Sequence, residues 1–158
     1  MRHLIAALTL ACLALTAMPV AATQILPNAP DVHAVGQKER IVVRVSISRQ
    51  TMEVFHEGHK VHEWPVSTAR KGKITPTGEW KGAQWLSRNH RSSLYNNAPM
   101  PFAVFYNGNY AIHGTDQVNK LGQPASAGCV RLHTDNAKIL FNMVRDAGKE
   151  NLRVVVVR

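Results

Sequence analysis

Hydrophobic and polar residues alternate in part over the first segments beyond residue 39, as they do in strands with one buried face. Segments 41–47, 51–56 and 59–67 are rich in β-branched and aromatic residues, and Glu57-Gly58 separates the second from the third. A glycine there suits a tight hairpin turn because it accepts positive φ. These segments predict a meander of three strands at the start of the folded domain.

Four later segments predict further strands. Residues 80–86, 100–106 and 109–112 are largely apolar, and Asn107-Gly108 between the last two is a strong signal for a type I′ hairpin. Residues 152–157 form a β-branched run, which we expect to close the sheet by pairing with an early strand.

Two polar segments interrupt these strands. Residues 71–79 contain Pro76 and Gly78, which predict a structured loop that leads into a strand. Residues 87–98 predict an exposed flap, which is either an ordinary surface excursion or a cover for a bound substrate.

One helix is predicted near the C-terminus. Thr134 or Asp135 caps its start and Gly148 ends it, and five apolar positions between them recur at helical spacing: Ala137, Leu140, Phe141, Val144 and Ala147. Seven strands and one helix predict a mainly β fold, a closed β-barrel or a sandwich.

The first 22 residues have the pattern of a cleavable secretory signal peptide. A basic start precedes an uncharged apolar run over residues 4–17, and small residues stand at 20–22 before the expected cleavage. The run is shorter than the ~20 residues of a membrane-spanning helix, which favours removal over a stable membrane anchor. Cys12 raises the alternative of a lipoprotein, but Thr9 stands where a lipobox has leucine.

We therefore expect a periplasmic protein with a signal peptide over residues 1–22, a linker over 23–39 and one domain over 40–158. The net charge of +9 suits a basic surface, nucleic acid, an anionic membrane or an acidic envelope polymer. Export argues against nucleic acid, and the positive charges are scattered. We expect at most an attraction to an anionic polymer.

Cys129 becomes the only cysteine once the signal peptide is removed. Exported proteins usually pair their cysteines, so an unpaired thiol deserves a functional explanation. His113, sixteen positions upstream, could form an activated thiolate–imidazolium pair with it. The small residues Ser126, Ala127 and Gly128 leave backbone N–H groups open to the oxygen of an attacked carbonyl. Without further context, a free cysteine is more often a small buried hydrophobe.

No metal or cofactor is expected from these residues. Cys129, His113 and His133 lack the paired spacing of zinc ligands. A thiol–disulfide function is also unsupported, because the sequence has no Cys-x-x-Cys motif and the mature chain has no second cysteine.

Two motifs occur together in this chain, His-Gly-Thr at residues 113–115 and Ser-x-Gly-Cys-x-Arg at residues 126–131. A Thr-Pro-x-Gly element lies upstream at residues 75–78, and further matches are Met100-Pro101, Gly122 and Asp135. On these motifs, from about residue 40 to the C-terminus, the chain resembles the L,D-transpeptidase catalytic domain, or YkuD domain, of bacterial cell-wall enzymes. Many members have His, Arg or Lys where this chain has Ala127.

The resemblance implies a closed β-barrel-like domain that acts on peptidoglycan stem peptides in cell-wall biogenesis. Cys129 would attack the carbonyl before the terminal D-alanine of a tetrapeptide, release D-alanine and form a thioester. The acceptor would be a neighbouring stem, which gives a 3→3 crosslink, a free D-amino acid, or a lysine of an envelope protein. Carbapenems would acylate the same cysteine, and a Gram-negative wall with diaminopimelate fits an exported enzyme without an anchor.

The resemblance also implies how the reaction is assisted. His113 would take the thiol proton and return it to the departing D-alanine, with the Gly114 carbonyl orienting its ring. The backbone N–H groups of Gly128 and Cys129, with Ala127 as a further candidate, would hold the oxyanion.

Three further residues have open roles. Arg131 would either bind a substrate carboxylate or pair with an acid such as Asp135. Ser126 would either support the turn or bind substrate, and His133 is expected to be structural.

Two alternatives to a transpeptidase follow from the same residues. Water in place of the amine would make the enzyme a carboxypeptidase or an amidase on the same scaffold. A murein-binding module without activity is the alternative from another class, and the intact Cys129 and His113 argue against it.

Overall fold

The computed structural model describes residues 40–158, which form nine β-strands and one α-helix. The strands are β1 (Ile41–Ser46), β2 (Thr51–His56), β3 (His59–Pro65), β4 (Gly78–Lys81), β5 (Trp85–Arg91), β6 (Pro99–Asn107), β7 (Tyr110–Thr115), β8 (Val130–His133) and β9 (Leu152–Val157), and the helix is α1 (Thr134–Ala147). The predicted signal peptide over 1–22 and linker over 23–39 lie outside the described residues. Within residues 40–158, no helix has both the length and the hydropathy to span a bilayer.

The strands form two sheets. One has five strands in the order β3-β2-β1-β9-β4, and the other has four in the order β5-β6-β7-β8. The meander β1-β2-β3 is antiparallel, as the sequence predicts. The terminal strand β9 pairs in parallel with β1, which confirms that it joins an early strand.

The mainly β prediction is confirmed, but the prediction of a closed barrel is wrong because both sheets are open. The two sheets pack into a sandwich through their core side chains. No continuous ladder of backbone hydrogen bonds joins one sheet to the other within residues 40–158. The chain after β3 reaches β8 through a bridge between Ser67 and Arg131, in which each N–H donates to the other residue's carbonyl.

The core lies between the inner faces of the two sheets and α1. Alternate residues of β1, β2, β8 and β9 enter it, and α1 adds four of the five positions predicted from its helical spacing. Burying a Val, Leu, Ile, Met or Phe side chain contributes about 1.5–3 kcal/mol. The buried residues include Val43, Val45, Met52, Val54, Val104, Ile112, Val130, Leu132, Ala137, Leu140, Phe141, Val144, Val154 and Val156.

Several predicted element bounds need correction. Residues 80–86 are not one strand, because Gly82 at φ +74° interrupts the extended conformation. β4 and β5, on either side of it, join different sheets. β5 continues to Arg91 inside the segment predicted as a flap, so the loop itself covers only residues 92–98. The four-residue strand β8 is too short for periodicity to reveal.

Helix α1 begins one residue earlier than its predicted caps suggest. His133 is the N-cap, and its Nδ1 accepts a hydrogen bond from the Asp135 N–H at 3.3 Å. A histidine is not among the usual N-cap residues, so sequence preference favours Thr134 or Asp135 instead. Gly148, at φ +91°, is the C-cap as predicted.

Candidate active site

The register of β7 against β8 brings the predicted cysteine and histidine to one side of the four-stranded sheet. The two strands are parallel, and Ile112 pairs with Val130 while His113 pairs with Arg131. Because side chains alternate along a strand, Ile112 and Val130 enter the core, whereas His113 and Arg131 face the opposite side. Cys129, directly before β8, packs against an apolar cluster on that opposite side.

We call this side the cleft face, and its apolar cluster consists of Met100, Ala103, Phe105 and Ala111. Met100 and Phe105 both face the cleft, although strict alternation along a strand would place an even-numbered and an odd-numbered residue on opposite faces. Phe102 between them adopts φ +53°, a left-handed conformation that interrupts the alternation of β6. Phe102 itself turns toward the helix, where its ring lies 5.8 Å from the ring of Phe141.

A cleft of about 780 Å³ opens over this face, and both Cys129 and His113 line it. The indole of Trp85 stacks on Phe105 at a centroid distance of 3.7 Å, and His90 contacts both rings edge-on. The loop over residues 92–98 forms another wall, and its Tyr95 ring lies 5.9 Å from Lys73 Nζ. The predicted flap is thus a wall of the cleft.

His113 is almost fully buried, with 6% of its surface exposed. Its Nδ1 lies 2.7 Å from the carbonyl oxygen of Gly114, which can only accept a hydrogen bond. Nδ1 therefore carries the proton of the neutral ring, and Nε2 keeps a lone pair that can accept another. Gly114 contacts the start of α1 so closely that an added Cβ would lie 3.0 Å from Thr134 and 3.1 Å from Pro101.

Burial sets the protonation state of both groups. It lowers the pKa of His113 to about 4, against the opposing effect of the Gly114 carbonyl. Burial likewise raises the pKa of the Cys129 thiol, which lies 3.6 Å from the Asn109 carbonyl oxygen. Desolvation thus disfavours the charged form of each group, whereas the thiolate–imidazolium pair expected from the sequence would carry both charges.

Hydrogen bonds with hydroxyl groups hold the loop before Cys129. Ser126 is buried, and its Oγ accepts the Gly128 N–H at 3.0 Å, so Ser126 supports the turn. Gly128 has φ +142°, and a Cβ there would lie 2.8 Å from the Tyr110 ring. Only glycine fits this position. Because its N–H is already bonded within the loop, Gly128 is a weaker candidate for an oxyanion donor than the sequence suggests.

Arg131 is half-buried at the edge of the cleft, and its Nη1 donates to Gln117 Oε1 at 3.0 Å. Asp135, the acid expected as its alternative partner, instead lies 3.6 Å from His133 Nδ1. Burial lowers the pKa of Arg131, and the nearby positive charge of Arg70 adds to this effect. Two guanidinium groups therefore line the cleft near Cys129, together with the small side chain of Ala127.

Several site residues have no signal of their own in the sequence. Arg70, Trp85, His90, Asn109 and Gln117 are polar or aromatic residues of ordinary loops and strands that only the fold brings to Cys129. Thr75 is different, because it belongs to the Thr-Pro-x-Gly element, but its contacts cannot be inferred from that match. Within residues 40–158, no group of three or more His, Cys, Asp or Glu side chains could hold a metal ion.

Comparison with known proteins gives a consistent result. The YkuD family model, the L,D-transpeptidase catalytic domain, matches residues 40–157. A putative L,D-transpeptidase YkuD of Bacillus subtilis is 26% identical over 124 residues, which are 76% of this chain and 68% of that protein.

Solved structures show the same fold. An L,D-transpeptidase from Mycobacterium smegmatis superposes with a TM-score of 0.66 at 20% identity, over 75% of this chain and 59% of that one. An LD transpeptidase in complex with imipenem gives a TM-score of 0.66 at 25% identity, with the same coverage of 75% and 59%. This chain thus spans less than two thirds of the length of these structures.

Proposed function

The chain belongs to the YkuD family of L,D-transpeptidase catalytic domains, and on that premise we propose that it is a periplasmic cysteine acyltransferase acting on peptidoglycan stem peptides. One observation carries the proposal. Cys129 and His113 line one cleft on the same face of the four-stranded sheet, and the Gly114 carbonyl holds the His113 ring with Nε2 unprotonated.

The first half-reaction acylates the cysteine. Cys129 Sγ attacks the carbonyl carbon that precedes the terminal D-alanine of a tetrapeptide stem, and His113 Nε2 accepts the thiol proton as the S–C bond forms. The C–N bond then breaks, and His113 returns the proton to the amine of the departing D-alanine. A thioester remains on Cys129. Because burial disfavours the charged form of each group, the proton transfer from Sγ to Nε2 is coupled to the attack.

The second half-reaction transfers the acyl group to an amine. A neighbouring stem, a free D-amino acid or a lysine of an envelope protein attacks the thioester carbon, and His113 takes a proton from the attacking nitrogen. A new amide bond forms, the S–C bond breaks, and the proton returns to Cys129 Sγ. Water as the acceptor would instead release a tripeptide.

The cationic wall of the cleft suits this substrate. Stem peptides carry carboxylates, and Arg131 keeps N–H donors beyond the one bonded to Gln117. A guanidinium binds a carboxylate through two parallel hydrogen bonds, which fix its orientation as well as its position. Arg70 stands at the same cleft and adds positive charge.

Carbapenems are the expected inhibitors, as the LD transpeptidase solved with imipenem supports. Sγ would add to the β-lactam carbonyl, the ring C–N bond would open, and the whole inhibitor would remain as a thioester. Intact-mass spectrometry of the protein after incubation with imipenem should show one adduct, and Cys129→Ala should show none.

The deciding experiment is a product profile. Protein without residues 1–22 is incubated with disaccharide-tetrapeptide beside Cys129→Ala, and products are separated by liquid chromatography with mass detection. A crosslinked dimer that has lost one D-alanine, absent from the variant, supports the proposal, whereas tripeptide alone assigns a hydrolase. If neither forms, an imipenem adduct indicates a missing protein acceptor, and the lack of an adduct overturns the proposal in favour of a binding module.

A further inference from the structure

The backbone around Gly128 is conformationally soft by its chemistry and yet firmly held by its contacts. A glycine has no Cβ to restrict φ and ψ, so the peptide planes on its two sides can rotate easily. Ser126 Oγ holds the plane before Gly128 through the Gly128 N–H at 3.0 Å. A second hydroxyl, from Thr75, holds the plane after it.

Thr75 is buried, with 5% of its surface exposed, and both hydrogen bonds of its hydroxyl go to backbone groups. Oγ1 accepts the Ala69 N–H at 2.9 Å and donates to the Gly128 carbonyl at 2.8 Å. The directions of both bonds are fixed, because an amide N–H only donates and a carbonyl only accepts. Thr75 therefore ties the Gly128–Cys129 peptide to the segment after β3.

The Gly128–Cys129 peptide carries the Cys129 N–H, a candidate oxyanion donor in acyl transfer. In a trans peptide, the C=O of one residue and the N–H of the next point in opposite directions. A bond that holds the Gly128 carbonyl toward Thr75 therefore aims the Cys129 N–H away from Thr75. Since the Gly128 N–H is bonded to Ser126, the Cys129 N–H is the stronger candidate for the oxyanion donor.

We propose that Thr75 is a positioning residue for acylation, which fixes the Gly128–Cys129 peptide so that the Cys129 N–H stabilises the oxyanion. The inference rests on the proposed acyl-transfer function and adds to it a residue 54 positions from the cysteine. Thr75 touches no reacting atom and acts through the backbone it holds.

The test compares two reactions of the same thiol. Imipenem acylates Cys129 at a carbonyl and develops an oxyanion, whereas iodoacetamide alkylates it at a saturated carbon and develops none. Both reactions need the thiol to lose its proton. A change in thiol activation or access therefore moves both rates, and only a change in oxyanion stabilisation moves their ratio.

Thr75→Val keeps the shape of the side chain and removes the hydroxyl. We expect its ratio of acylation to alkylation rates to fall at least ~10-fold, short of the 10²–10³-fold loss that follows complete removal of an oxyanion donor. Thr75→Ser should restore most of the ratio because it restores the hydroxyl. Stopped-flow or timed intact-mass measurements at one pH give both rates.

Thr68→Val is the matched control. Thr68 is also buried, and its hydroxyl accepts a hydrogen bond from Gln50 Nε2 at 2.6 Å. Thr68 contacts the loop before Cys129 through its backbone carbonyl, which accepts the Ala125 and Ser126 N–H groups and is kept in the valine variant. Its ratio should equal that of the wild type. If Thr75→Val does not fold, Thr75→Ala removes the same hydroxyl, and the same ratio decides.

Three outcomes would overturn the inference. Unchanged rates of both reactions in Thr75→Val would show that the Cys129 N–H needs no such support. A parallel fall of both rates would assign Thr75 to the general integrity of the loop. A wild-type protein that is alkylated by iodoacetamide but not acylated by imipenem would overturn the proposed function itself, and the inference with it.

Discussion

The two faces of the four-stranded sheet use the same strands for different purposes. On the core face, Ile112, Val130 and Leu132 pack against other apolar side chains, which any aliphatic residue of similar volume could do. On the cleft face, His113 is buried and hydrogen-bonded to one specific carbonyl. The loop before Cys129 is held there by hydrogen bonds with two specific hydroxyl groups. Stability therefore depends mainly on the first face, and chemistry on the second.

Cys129→Ala should show the largest difference between an effect on activity and an effect on stability. We expect product formation to fall by ~10⁴-fold or more, because no other group in the cleft can form the thioester. Thermal unfolding should change little, since the side chain is only partly buried. Residual transpeptidation near the wild-type rate would contradict the assignment of the nucleophile.

His113→Gln should produce the next largest loss. Glutamine can still donate to the Gly114 carbonyl but cannot exchange a proton, so we expect a fall of about 10²–10⁴-fold in kcat/KM. His133→Gln is the control, because His133 caps α1 and is not among the residues that line the cleft. Equal losses in the two variants would argue that His113 only supports the fold.

Leu132→Ala tests the core face of the strand that follows the cysteine. The side chain is fully buried, so truncation should lower the free energy of unfolding by about 2–5 kcal/mol, as measured by urea denaturation. Activity per folded molecule should stay near that of the wild type. A loss of kcat in fully folded Leu132→Ala would show that the two faces are coupled through β8.

Acid should weaken the fold through the cleft face. The pKa of His113 is lowered to about 4, while the same group in the unfolded chain titrates near 6.5. Between these values the unfolded state binds more protons than the folded state, so the free energy of unfolding falls as pH falls, by roughly 3 kcal/mol over the whole interval. Urea denaturation at pH 7 and pH 4.5 measures the effect.

His113→Gln again supplies the comparison for this pH effect. Its free energy of unfolding should depend less on pH over the same interval, because the variant lacks the imidazole whose pKa is lower in the folded than in the unfolded state. Identical pH dependences in the two proteins would mean that other groups cause the acid sensitivity. The acid limb of wild-type kcat/KM should also lie near pH 4 and not near 6.5.

The contrast between the faces also explains what the sequence can reveal. Cys129, His113, Gly114 and Ser126 lie in two short motifs, and a motif preserves local geometry such as the bond from His113 to the next carbonyl. The periodicity of α1 likewise reports a local fact. Both kinds of signal need only neighbouring positions, and the structure agrees with both.

Features that depend on distant pairing could not be predicted in the same way. The interruption at Gly82 allows β4 and β5 to join different sheets, and nothing in that short segment specifies which strands they pair with. The lowered pKa of His113 and the raised pKa of Cys129 depend on burial by several elements. Sheet closure failed as a prediction for the same reason, because strand order is a property of the whole chain.

The parallel pair of β1 and β9 has a consequence for how the domain acquires its structure. These central neighbours of the five-stranded sheet lie about 110 positions apart in the sequence, a non-local contact of the kind that slows folding. The sheet therefore cannot be completed until the last strand of the domain has been synthesised. A nascent chain stalled before Leu152 would expose β1 as an unpaired edge open to chaperones, proteases and aggregation.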